Sequence, residues 1–191
     1  MNALLKSLPL LLATSTALAA PHQHGQAYLD MVLEPPTLLI SISSPLANLT
    51  GFEYQPATKE EQSRWEQVKQ DMQTPDLLIR LPEDADCSLS RVLLQSPFAT
   101  AEAHDHGDHG DHGDHGDHGD HGDHGDHGDH QHADLMAEYQ YVCARAEALR
   151  QLELPIMQKY PDIERLRLQF IAPDRLHRID INAGQDHVEL P

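Results

Sequence analysis

Apolar and β-branched residues fill positions 27–33 and 37–43 on either side of Glu34-Pro35-Pro36, a pattern that predicts a β-hairpin. The next stretch, from Ser44-Pro45 through Asn48 to Gly51-Phe52-Glu53-Tyr54, reads as a turn-rich loop pinned by buried Leu and Phe anchors. A helix is expected from about Thr58 to Met72, with Thr58 as N-cap and Glu61 at the capping-box position. Trp65, Val68 and Met72 form its apolar stripe, so Trp65 is read as core rather than as a ligand-binding ring. Residues 147–159 have helical composition, and Pro155 should kink that helix or split it in two. Residues 163–172 set Leu166, Leu168 and Phe170 against Arg165, Arg167 and Gln169. After Pro173-Asp174, residues 175–182 continue in kind, which makes a second hairpin. The expected architecture is α+β: a small single domain of antiparallel strands with two helices packed on one face.

The two cysteines fit this plan. Cys87 opens one apolar strand and Cys143 closes another. Antiparallel pairing with partner numbers summing to 230 places Cys87 opposite Cys143, Leu89 opposite Tyr141, Arg91 opposite Tyr139 and Leu93 opposite Ala137. In an oxidising compartment a Cys87–Cys143 disulfide follows. The competing reading, two cysteine metal ligands, needs a reducing compartment and a closer cluster.

Between those strands the patterning stops. From His104 to His132 the chain repeats Asp-His-Gly, holding eleven of the fifteen histidines and nine aspartates in 29 residues without an aliphatic or aromatic side chain. Such a segment cannot bury apolar surface to offset its ordering entropy, so a long disordered His/Asp/Gly-rich loop (residues 102–133) inserted in a hairpin is expected. Imidazole binds zinc, nickel and copper, and carboxylate completes the shell. The candidate ligands are His104, His106, His109, His112, His115, His118, His121, His124, His127, His130 and His132. In an extended chain turning every three residues they line one edge, which gives many interchangeable ligand sets rather than one rigid site. A flexible polar linker is the bland alternative, but linkers are built from Gly, Ser, Pro or Glu rather than from histidine at every third position.

The N-terminus reads as a signal peptide, residues 1–19, with Lys6, an apolar run over residues 8–13, and Ala17-Leu18-Ala19 before the cut. The expected mature domain is 20–191, with no membrane span after cleavage. Its formal charge of −18 loses Lys6 and becomes −19, which disfavours nucleic acid and anionic membranes as partners and attracts cations. His22-x-His24 can point both imidazoles to one face of a strand and is a second candidate metal pair. Pro21 lacks the N–H that an amino-terminal copper or nickel site would use. His177 and His187 read as isolated surface histidines.

His22-x-His24-Gly25, Leu38-x-Ile40, Ser44-Pro45-x-x-Asn48-Leu49-x-Gly51-Phe52-Glu53, a cysteine before a strand, the His/Asp-rich loop and Tyr139-x-Tyr141-x-Cys143 occur in the order found in ZrgA-like periplasmic zinc-binding proteins. The chain resembles that family over nearly its whole mature length. The resemblance implies zinc capture in the Gram-negative periplasm for an inner-membrane zinc transport system. Family members often carry histidine directly after Gly-Phe-Glu, where this chain has Tyr54. A fixed site built with the N-terminal His-x-His is then weakened or built differently, with Glu53 as a candidate carboxylate.

The leading expectation is a periplasmic zinc-binding protein holding several loosely bound Zn2+, on the order of three at three or four ligands each. Ligand imidazoles must be neutral, so stoichiometry should exceed about two near pH 7.5 and fall by about pH 5.5. Alternatives are a buffer or detoxification protein for Ni2+ or Cu2+, and an adhesion or scaffold domain whose arm is incidental. No H-E-x-x-H, serine elbow or phosphate loop is present, so no enzyme is expected.

Overall fold

The computed structural model describes residues 23–98 and 133–191. The proposed signal peptide, His22 and the eleven tract histidines lie outside them. Among the described residues are eight strands and three α-helices. Strands β1 (Gln26–Glu34), β2 (Thr37–Pro45), β3 (Cys87–Gln95), β4 (Asp134–Cys143), β6 (Arg165–Ala172) and β7 (Arg175–Asn182) form one sheet in the order β3-β4-β2-β1-β6-β7. A separate ribbon pairs β5 (Gln151–Glu153) with β8 (His187–Glu189).

Strict alternation decides which face of the sheet is covered. Leu29 and Met31 on β1, Leu38 and Ile40 on β2, Leu135 and Tyr139 on β4, and Leu166 and Phe170 on β6 all point to one buried side. Against that side lies α2 (Lys59–Met72), with Trp65, Val68 and Met72 buried. Its start is the expected capping box: the Thr58 hydroxyl accepts from the Glu61 amide, and the Glu61 carboxylate accepts from the Thr58 amide. The buried Tyr139 hydroxyl donates to the Met72 carbonyl at 2.8 Å, which joins the last turn of α2 to the sheet. Both expected hairpins form, β1–β2 and β6–β7.

Three expectations need correction. The sheet is mixed rather than antiparallel: β1 and β6 are parallel, from Gln26 opposite Arg165 to Val32 opposite Ile171. Alternation shows that each strand has a buried face but says nothing about which strand lies beside it.

The β3–β4 register holds only for its first three pairs, Cys87 with Cys143, Ser88 with Val142 and Leu89 with Tyr141. A bulge at Ser90, whose hydroxyl donates to the Gln140 carbonyl, then moves Arg91 opposite Gln140 and Leu93 opposite Glu138. The inserted residue reverses the alternation. Val92 and Leu94 pack against the core, and Arg91 avoids an inward position it could not satisfy. The cysteines do form a disulfide, spanning 56 residues, which removes the thiolate-ligand reading.

The helix expected over residues 147–159 is absent. A short 3-10 turn (Ala146–Ala148), the strand β5 and a four-residue helix α3 (Ile156–Lys159) replace it. Leu152 and Leu154 are buried while Gln151 and Glu153 are exposed, the two-residue alternation of an extended chain, and Pro155 restricts Leu154 to extended geometry. Of the three described α-helices, only α2 exceeds four residues.

Candidate metal centre

The loop after β2 is where backbone demands and side-chain chemistry meet. Ser44-Pro45-Leu46 leads into α1 (Ala47–Thr50), a single turn closed by Gly51 in the left-handed region, φ 85°. Asn48 is buried, and its amide group serves three partners. Its Oδ1 accepts from the Gly25 amide at 2.8 Å, and its Nδ2 donates to the Gln26 carbonyl at 3.0 Å and the Ser44 hydroxyl at 3.2 Å. Asn48 thereby ties the entry of β1 to α1. Gly25 itself has φ +78°, and its carbonyl accepts from the amides of Glu164 and Arg165.

Downstream of α1, the Thr50 hydroxyl accepts from the Phe52 amide at 3.2 Å, and the Arg64 guanidinium donates to the Thr50 carbonyl at 3.0 Å. Phe52 is buried, so the next residue faces outward. Two chain segments anchored by one asparagine then bring His24 Nε2 to 3.0 Å from Glu53 Oε1. The imidazole is 61 % exposed and the Glu53 side chain 21 %, with the Oε1 that faces His24 buried, so the pair opens to solvent from the imidazole side. A tetrahedral zinc held by one nitrogen and one oxygen needs them about 3.4 Å apart. Opening the pair by a few tenths of an ångström meets that.

Glu164 lies against Gly25, the residue after His24. A Cβ on Gly25 would fall 3.2 Å from its Cδ and Oε2, so the glycine leaves room for this carboxylate. Tyr54 turns away instead. Its ring packs on Phe52 at 5.3 Å between centroids and its hydroxyl donates to Glu61 Oε1 at 2.7 Å. That bond raises the Tyr54 hydroxyl pKa. Tyr54 thereby supports the start of α2.

Of the residues expected from sequence, His24 and Glu53 are brought together. His22 and the tract from His104 to His132 lie outside the described residues, as does nearly all of the 102–133 loop. The described residues on either side of the tract are held by the domain: the Phe98 ring meets Trp65 edge-on at 5.7 Å, and the Ala133 carbonyl accepts from the Leu46 amide at 2.7 Å. His177 is exposed on β7 opposite Phe170. His187 is not isolated as expected: carboxylates of Asp186 and Glu153 face its two nitrogens at 2.7 and 3.8 Å. Among the described residues no three His, Cys, Asp or Glu side chains converge as a metal cluster. The residue that sequence reasoning missed is Asn48. Its signal was present as an asparagine inside an apolar loop, where a side-chain amide commonly satisfies backbone groups.

Fold and pair together define a class: a small mixed-sheet domain offering nitrogen and oxygen donors at one surface point, a donor set suited to zinc. The ZrgA family zinc uptake protein description matches residues 21–190, and the chain belongs to that family. Its role is therefore in zinc uptake. A comparison with curated proteins found no match. Among the described residues no helix is long and apolar enough to cross a membrane.

Proposed function

We propose that this protein captures zinc in the periplasm and presents it to an inner-membrane transport system, with the metal as cargo. The histidine tract collects ions loosely, and His22, His24 and Glu53 hold one ion at a fixed point. The observation that carries this reading is the 3.0 Å approach of His24 to Glu53, set by the buried Asn48. His22, two residues earlier in the chain, is proposed as the third ligand. A set of two imidazoles and one carboxylate leaves one position for water or for a receiving ligand.

Two further facts support the division of labour. Ala133, the first described residue after the tract, is hydrogen-bonded to Leu46 on the same loop segment that carries Asn48 and Glu53. The Cys87–Cys143 disulfide suits an exported protein.

The test is zinc calorimetry on the full chain, a variant with residues 105–130 replaced by a short Gly-Ser linker, and that variant carrying His24→Ala or Glu53→Gln. One tight event surviving the linker and disappearing with His24→Ala supports the fixed site. Loss of all binding with the linker leaves the tract as the sole zinc-binding segment and refutes the His24–Glu53 site.

A further inference from the structure

The ribbon of β5 and β8 carries a second nitrogen–oxygen pair. Antiparallel register sets Glu153 directly opposite His187, so the two side chains share a face. His187 Nδ1 lies 2.7 Å from Asp186 Oδ1, and Asp186 Oδ2 accepts from Gln158 Nε2 at 2.8 Å. A carboxylate only accepts, so in the neutral imidazole Nδ1 carries the hydrogen and the lone pair sits on Nε2. That lone pair faces Glu153 Oε1 at 3.8 Å. The other oxygen of Glu153 is held by the Arg80 guanidinium at 3.3 Å.

We infer that His187 Nε2 and Glu153 Oε1 form a second, weaker site for a borderline divalent cation such as zinc, with Asp186 as the positioning residue. In the neutral ring two acceptor atoms face each other, and a proton or a divalent cation competes for the gap between them. Zinc–ligand lengths near 2.1 Å place tetrahedral donors about 3.4 Å apart, so the pair needs to close by a few tenths of an ångström. Asp186 fixes the imidazole's tautomer and plane and raises its basicity, the usual arrangement behind a metal-bound histidine. Imidazole selects zinc, nickel or copper over calcium and magnesium. The side chains are 66 % and 48 % exposed, so water fills the remaining positions and exchange is fast. Arg80 opposes the cation by charge and by sharing the carboxylate.

This site is independent of the His24–Glu53 reading and has its own reporters. Zinc is titrated into the full chain with the tract intact, followed by backbone amide spectra. The expected result is a saturable shift of the Glu153, His187 and Val188 amides. Glu153→Gln and His187→Asn should each weaken that curve by on the order of tenfold, and Asp186→Asn by a similar factor. Arg80→Gln should tighten it. Gly25 reports the other pair, so failure of one site is seen apart from failure of the other. Ribbon amides that stay still while zinc saturates the rest of the chain overturn the proposal, as does an unchanged curve in both Glu153→Gln and His187→Asn.

Discussion

Replacing Asn48 with Ala tests the link between fold and site most directly. Asn48 is 4 % exposed, and its side chain satisfies the Gly25 amide, the Gln26 carbonyl and the Ser44 hydroxyl. Alanine strands the first two, since Gln26 is buried and Gly25 half-buried. At about 1–3 kcal/mol per stranded buried group, the loss comes to roughly 3 kcal/mol, a large part of the 5–15 kcal/mol typical of a domain. Urea unfolding followed by the single tryptophan, Trp65, reads this out. With a slope of about 2 kcal/mol per molar, the midpoint should fall by about 1.5 M. Zinc calorimetry on the same variant should lose the tighter event while tract binding persists, because His24 and Glu53 are no longer held in register. Asn48→Asp keeps the acceptor for Gly25 but sets a carboxylate against the Gln26 carbonyl, and should fall at least as far. A midpoint within about 0.3 M of the parent, with the tight event intact, would refute Asn48 as the anchor of the site.

Three further outcomes are expected. Hydrogen bonds from the Thr58 amide, then the Tyr54 hydroxyl and the Ala57 amide, hold the Glu61 carboxyl down from 4.5 to about 2. A depressed carboxyl stabilises the fold fully above its unfolded value and loses that contribution as pH falls from about 4.5 towards 2; Glu61→Gln should flatten the stability profile in that window, measured by denaturant midpoints against pH. Gly25→Ala forces a side chain into a φ of +78° and towards Glu164, and should cost about 1–2 kcal/mol in the same unfolding assay. Reducing the Cys87–Cys143 bond, or replacing both cysteines with Ser, releases a 56-residue span and should lower stability by about 4 kcal/mol in the chain-entropy account, read as a midpoint shift with and without reductant.

What the sequence revealed was local. The capping box of α2 is legible because Thr58 and Glu61 are three residues apart and their bonds close within one turn. Both hairpins are legible because the alternation on each side of a proline turn fixes two neighbouring strands at once. The disulfide register is legible up to Ser90, since identity and alternation agree that far; a bulge inserts one residue without altering the apolar content of the strand. The parallel contact of β1 with β6 is not legible, because it is made across the chain with no turn to mark it. Nor is β5, whose three residues are too few to outweigh a helical composition around them. The His24–Glu53 pair depends on that same long-range assembly: β1 must lie between β2 and β6 before Gly25 can meet both Asn48 and Glu164.

The arrangement explains why the most specific stretch of the family resemblance, Ser44 to Glu53, contains only one acidic side chain. Ser44 and Asn48 satisfy each other and the backbone of β1, Gly51 provides the left-handed turn, Phe52 buries, and Glu53 is what emerges. Four of those residues work to place the fifth. A histidine tract needs no such support, because any few of its imidazoles serve as well as any others and repeats can be gained or lost without loss of chemistry. A fixed donor pair tolerates no such drift. Its geometry depends on a buried asparagine and two glycines at positive φ, Gly25 and Gly51, each with a defined role. The part of this protein that looks most like a metal binder in sequence is thus the part whose chemistry asks least of the fold, and the loop most constrained by the fold shows a single carboxylate.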